Sequence, residues 1–152
     1  MLSKRLYFTN NLIEAIRTND FEATRALINE RLLGKMPSGK ELSNLLLECA
    51  DSRIAKLLIE RGADVEAEDP RGRTPLGRCP SIEMAKVLIK AGACVNTVDN
   101  NENTVLNEAA SKGRSDLVAL LVENRAISWY YCKEGNQFFG NLFHNYEILL
   151  GT

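Results

Sequence analysis

The sequence predicts an all-α solenoid of stacked helix–turn–helix units. Three observations carry that expectation. A block of residues recurs at a spacing of 30 and then 33, each copy has apolar positions at helical period, and two copies end on a glycine suited to closing a helix. Shifting the chain by 30 places "IAKLLIERGADVEAE" (54–68) on "MAKVLIKAGACVNTV" (84–98). Ala55, Lys56, Leu58, Ile59, Gly62, Ala63 and Val65 then meet Ala85, Lys86, Leu88, Ile89, Gly92, Ala93 and Val95. Upstream, Leu46 and Cys49 meet Leu76 and Cys79. A further shift of 33 carries "VLIKAGA" onto "LLVENRA", with Gly92 and Ala93 on Arg125 and Ala126.

The elements follow in order. Near the start, "LIEAIRTNDFEATRALINE" (12–30) has the two-helix outline without the Gly-Ala turn, and Asp20 stands where the second helix needs an N-cap. Thr74-Pro75-Leu76 opens a helix: Thr74 can accept a bond from a free backbone N–H, and Pro75 suits the first helical position. Second helices read from Ile54/Leu57/Leu58, Met84/Val87/Leu88 and Leu117/Leu120/Leu121, with Ser81 and Ser115 at expected N-caps. Gly62 and Gly92 fall just past helix ends, where a left-handed residue closes the last turn. The segments 63–66 and 93–96 read as extended, and 69–72 as a turn. A lone unit cannot hide its apolar faces. Burying each Leu or Ile is worth roughly 1.5–3 kcal/mol, and only stacking achieves it, so the array is the folding unit.

The totals narrow the function. With 152 residues and 45% hydrophobic content the chain can build one continuous core, and 26% charged residues argue against wholesale disorder. A formal net charge of -1 argues against nucleic-acid binding by bulk positive charge. No apolar run approaches the ~20 residues of a membrane span. Asn10, Asn11 and Glu14 break the apolar stretches near the start, so a signal-peptide core is lacking and a cytoplasmic, reducing setting is expected. Cys49, Cys79, Cys94 and Cys132 form no C-x-x-C pair and His144 is the single histidine, so no metal site is expected. No phosphate-binding glycine loop and no H-E-x-x-H occur, so neither cofactor nor enzyme activity is expected.

Four segments carry a family resemblance: "DPRGRTPLG" (69–77), "GADVEA" (62–67), "GACVNT" (92–97) and "AASKGRSDLV" (109–118). They resemble the ankyrin repeat, over about residues 8–127. The resemblance implies an L-shaped stack of helix pairs with hairpin-like loops, binding proteins through loop tips and the concave surface of the first helices. The expected organisation is a single domain, 1–152, with repeats at about 8–33, 38–68, 69–98 and 99–131. Residues 132–152 form a cap or partial fifth repeat. The chain departs from the family pattern in places. Repeats two and three are about three residues short between their helices, at "CADSRIA" and "CPSIEMA", which predicts a clipped first helix or an unusually tight turn. Gly77 and Asn107 replace the family's histidine after Thr-Pro-Leu, removing its hydrogen-bond bridge. Glu102 and Arg125 stand at turn positions that favour glycine, and positive φ at Glu102 would cost roughly 1 kcal/mol.

Cys49 and Cys79 share the small inward position that Ala15 and Ala109 hold elsewhere, so they read as buried apolar residues. Cys94 and Cys132 fall in loops. By register, the exposed tip residues are Glu68, Pro70, Arg71 and Arg73; Val98, Asn100, Asn101 and Asn103; and Tyr131, Lys133, Glu134 and Asn136. Arg78, Ser111 and Lys112 face the same side from the first helices. Together these are the candidate partner-binding residues. Arg71, Arg73 and Arg78 read either as a solvated face beside Glu68 and Asp69 or as an anchor for an acidic partner segment. Seven of the ten aromatics lie between Trp129 and Tyr146, as a cap over the last apolar face or a sticky surface that binds something.

The expected function is protein binding by a rigid platform, monomeric when free. The platform would act as an adaptor, an inhibitor or an exported host-interacting effector, and its partner would be another protein, not nucleic acid or membrane. The alternative is an N-terminal targeting or scaffold domain of a longer protein, since the chain stops within a half-repeat.

Overall fold

The computed structural model describes residues 2–29, 38–126, 130–131 and 137–138. Among them run eight helices. These are α1 (Leu2–Arg17), α2 (Phe21–Asn29), α3 (Gly39–Glu48), α4 (Ser52–Glu60), α5 (Pro75–Arg78), α6 (Ile82–Lys90), α7 (Val105–Ser111) and α8 (Ser115–Glu123). Each odd-numbered helix packs on the even-numbered one that follows it. The pairs then stack: α1, α3, α5 and α7 touch in succession along one row, and α2, α4, α6 and α8 along the other. The predicted solenoid is therefore observed.

Its core is the seam between the rows. Ile54, Ala55 and Leu58 of α4, Met84, Ala85 and Leu88 of α6, and Leu117, Val118 and Leu121 of α8 are buried at equivalent places. Ala15, Cys49, Cys79 and Ala109 are the buried small residues of the first row, as their register predicts. Cross-repeat arginines tie the stack at its edges. Arg61 donates to the Ile28 carbonyl at 3.3 Å and Arg114 to the Cys79 carbonyl at 2.7 Å, each supplying a donor to a helix-end carbonyl of the preceding unit. The Arg53 guanidinium lies 5.1 Å from the Phe21 ring centroid, a cation–π contact between the first two pairs.

Helix starts agree with the sequence in part. Asp20 accepts from the Ala23 N–H and Ser81 from the Met84 N–H, as expected. Ser115 does not cap: it is the first helical residue of α8, behind Arg114, which makes no side-chain cap bond. Thr74 precedes α5 but caps no N–H; its hydroxyl lies 3.3 Å from that of Thr97, with Pro75 in the first turn removing one orphan donor. Thr104 does cap α7, through the Asn107 N–H. Asp51, not singled out in the sequence, caps α4.

The shortening between helices also has two outcomes. α5 has 4 residues where α7 has 7, so the first helix of repeat three is clipped. α3 is not; it runs 10 residues from a capping box of Ser38 and Glu41 and occupies the stretch where later units carry a hairpin. Both end alike, with Cys49 and Cys79 as extended C-caps leading directly into the next helix.

Hairpin turns precede α5 and α7. Asp69 N–H bonds the Arg73 carbonyl and Asp99 N–H the Asn103 carbonyl, each at 3.0 Å, closing two turns of equal shape. Val98 and Thr104 form an antiparallel bridge. Two-residue strands β1 (Tyr130–Tyr131) and β2 (Gln137–Phe138) pair antiparallel with Tyr131 opposite Gln137, the same register 33 residues further on. Glu102 and Arg125 both adopt φ of 64°, so two non-glycine residues sit in the left-handed region where the sequence placed them.

Gly72 is the position where glycine is required twice over. Its φ is 74°, and an added Cβ would come within 2.4 Å of Asn100 Oδ1 and 3.0 Å of the Asn100 nitrogen. Gly92 has φ of 98° but nothing within 4 Å of such a Cβ. Gly92→Ala should therefore cost about 1 kcal/mol of backbone strain, and Gly72→Ala roughly 2–3 kcal/mol, since Asn100 must also be displaced. Urea denaturation of the two variants checks this; equal losses would mean the contact with Asn100 carries no weight.

Candidate partner-binding surface

The hairpin of repeat three, residues 69–73, is called the third hairpin and that of repeat four, residues 99–103, the fourth; the third is organised around one carboxylate. Asp69 Oδ1 accepts the backbone N–H groups of Arg71 at 2.9 Å and Arg73 at 3.0 Å. Asp69 Oδ2 accepts Nε and Nη2 of Arg73 at 3.0 and 2.7 Å, and Arg78 Nη1 lies 3.6 Å away. Only 5% of the Asp69 side chain is exposed, against 24% for Arg73. Burial pushes the Asp69 carboxyl up; the Arg73 side-chain bond, the two backbone donors and the Arg73 charge outweigh it and hold the group at about 2.

This changes the reading of the basic cluster. Arg73, expected to be exposed, is half-buried and its guanidinium is committed to Asp69. Arg78 is exposed but leans on the same carboxylate. Arg71 is exposed, and its guanidinium has no hydrogen bond or ion pair among the described residues. Glu68 and Pro70 are exposed beside it. Among the described residues, the cluster is thus one unpaired cation, Arg71, beside a carboxylate neutralised by Arg73 and Arg78.

The fourth hairpin stacks on the third. Asn100 donates its backbone N–H to the Arg71 carbonyl at 2.9 Å and its side-chain amide to the Pro70 carbonyl at 3.1 Å. Asn100 is exposed, yet its amide is a structural tie between tips. Asn101 and Asn103 are exposed and give only backbone N–H groups to Asp99 Oδ1, each at 2.9 Å. Val98 is 42% exposed, large for an apolar side chain. Ser111 and Lys112 are exposed at the end of α7; Ser111 Oγ donates to the Glu108 carbonyl, and Lys112 Nζ pairs with Glu108 Oε1 at 2.6 Å. Asn107 Oδ1 is buried without a hydrogen-bond partner among the described residues, consistent with a lost bridge at this position. Between the two hairpins lies a small cleft lined by Gly72, Arg73, Thr74, Gly77, Thr97, Val98, Asp99, Asn103, Val105 and Glu108.

Tyr131 sits in β1, while Lys133, Glu134, Asn136 and Cys132 lie outside the described residues. So do most of the residues expected to form the aromatic cap. Two carboxylates, Asp99 and Glu108, line the cleft but were not among the sequence candidates. The spacing of 30 held the signal, because it sets Asp99 on Asp69 and Glu108 on Arg78.

Burial disfavours thiolate chemistry at Cys49 and Cys79. Burial pushes Cys49 up to about 11 and raises Cys79, against the opposing pull of the Arg114 charge on the latter. Cys94 is exposed, and its N–H is held by Glu66 at 2.8 Å. Among the described residues no group of three or more His, Cys, Asp or Glu could hold a metal ion. Among the same residues, no helix is long and apolar enough to cross a membrane.

No curated protein matches the chain. The family described as ankyrin repeats (3 copies) matches residues 44–129, which takes in α4 to α8, both hairpins and the cleft between them. Ankyrin repeats are generally protein–protein interaction modules and typically not enzymes. Two rows of stacked helices, hairpin turns recurring at a 30-residue spacing and a match over more than half of its length agree: the chain belongs to the ankyrin-repeat family.

Proposed function

We propose that this chain is a protein-binding platform that grips its partner with the tips of the third and fourth hairpins and the adjoining ends of α5 and α7. One observation carries the reading: the two tips are tied together through Asn100, yet leave Arg71, Val98, Asn101 and Asn103 exposed, with no side-chain hydrogen bond or ion pair among the described residues. Ordered, exposed and chemically mixed groups are what a specific interface needs. Glu68, Pro70, Arg78, Ser111 and Lys112 form the rim, and sequence register assigns the same role to Tyr131, Lys133, Glu134 and Asn136. The partner is another protein, met in the cytoplasm by a monomer, across roughly 800 Å² per side. The platform serves as an adaptor or as an inhibitor that covers its partner's working surface, including inside a host cell if it is exported.

The test starts from a partner captured from lysate, identified and purified. Its affinity for the chain is then compared with that for a variant carrying Arg71→Ala, Asn101→Ala and Tyr131→Ala. The triple variant should bind at least tenfold more weakly, about 1.4 kcal/mol or more. Affinity within twofold of the parent would show that the surface lies elsewhere.

A second reading is a targeting or scaffold module within a longer protein. The pairing of β1 with β2 favours it, because that hairpin repeats the Val98–Thr104 register and so opens a further unit beyond α8. A transcript whose reading frame continues past Thr152 would support this version, and a stop codon there would remove it.

A further inference from the structure

The two hairpins are equivalent at a spacing of 30, and laying one on the other reveals a missing charge. In both, the aspartate Oδ1 accepts two backbone N–H groups, from Arg71 and Arg73 at Asp69 and from Asn101 and Asn103 at Asp99. In the third hairpin the other oxygen is saturated by the Arg73 fork, with Arg78 alongside. In the fourth, the positions of Arg73 and Arg78 are taken by Asn103 and Glu108. One cation has become neutral and the other has become a carboxylate. Asp99 has no ion pair among the described residues, and Glu108 has one oxygen on Lys112.

Both carboxylates line the same cleft, with Thr97 and Asn103 as further polar groups. The floor is bare at Gly77, where an added Cβ would meet only the Arg73 Cβ and Val105 Cγ2, both at 3.8 Å. The preceding repeat shows what such a carboxylate takes: a planar guanidinium donating two N–H groups to one oxygen, at 3.0 and 2.7 Å. A metal ion is the poorer match, since only two of the lining groups are carboxylates, and among the described residues no group of three or more His, Cys, Asp or Glu could hold one.

We propose that the guanidinium of an arginine carried by the partner protein sits over the mouth of this cleft and does for Asp99 between molecules what Arg73 does for Asp69 within one. The proposal rests on the platform reading above and sharpens it. The recognised segment presents an arginine to the Asp99–Glu108 cleft, and a carboxylate beside it would meet Arg71. Guanidinium is preferred to ammonium because its fixed fork matches the carboxylate, as Arg73 demonstrates.

The test uses the full chain, isotope-labelled, titrated with N-acetyl-arginine amide and, separately, with the neutral isostere N-acetyl-citrulline amide. Saturable shifts of the Asn101 and Asn103 amide signals are expected with the arginine compound and not with the citrulline one. Asn103→Arg, which supplies the cation from within the hairpin, should abolish them. Asp99→Asn keeps an oxygen for the backbone donors while removing the charge, and should abolish them too. Equal shifts from both compounds, or shifts that survive in a folded Asn103→Arg or Asp99→Asn protein, would overturn the proposal. Affinity for the purified partner separates the two levels. If Asn103→Arg binds it as tightly as the parent, the arginine receptor is refuted while the platform stands. A tenfold or greater loss supports both.

Discussion

Leu88→Ala should lower stability by about 2–5 kcal/mol and Tm by on the order of 10 °C. Leu88 is 0% exposed in the last turn of α6, the helix packed between α4 and α8 in the second row. Truncation there removes apolar burial and leaves a void that neighbours on both sides can only partly fill. Its place in the array enlarges the effect, because each unit is held chiefly by its neighbours and a weak middle unit loosens two interfaces. Thermal unfolding followed by circular dichroism measures it. Val122→Ala on α8, at a side chain 37% exposed, is the control and should cost below about 1 kcal/mol. Similar losses in the two variants would mean that the seam between the rows is not what holds the stack.

Asp69→Asn should cost about 2–4 kcal/mol near neutral pH. The asparagine oxygen can still accept the two backbone N–H groups. The Arg73 fork, however, loses its counter-charge while three-quarters buried, and Arg78 loses its lean. The pH dependence tells the charge apart from the shape. The folded carboxyl is depressed from the ordinary 3.8 to about 2, so its contribution is fully present above the unfolded value and fades as pH falls through the folded one. The stability gap between parent and variant should thus be constant above about pH 5 and shrink between about pH 4 and pH 2. Urea midpoints across that range check it. A gap that persists unchanged at pH 2 would locate the loss in packing rather than in ionisation.

The fold was legible because its signal is redundant. Leu58 and Leu88, Gly62 and Gly92, Cys49 and Cys79 each recur at one spacing, and each pair lies at equivalent places in the stack. Even the strained turns at Glu102 and Arg125 could be read by their alignment on glycine. Hydrogen-bond partners were less legible, since several acceptors compete within a few residues and only three-dimensional placement decides among them. Thr74 faces Thr97 instead of its own helix, and Arg73 turns onto Asp69 instead of solvent. Register correctly puts Asn100 at a tip, yet nothing in the sequence reveals that its amide reaches the Pro70 carbonyl 30 positions back. Asp99 and Glu108 escaped notice because each is unremarkable alone. Their meaning comes from comparison with Asp69 and Arg78.

The tie through Asn100 bears on kinetics. Two loops that would otherwise wander are pinned to each other before any visitor arrives, so their conformational freedom is surrendered during folding rather than at the moment of docking. Under the proposed docking, a partner engaging both tips would have little left to immobilise on this side, and the benefit would emerge as a long residence time more than as a faster encounter.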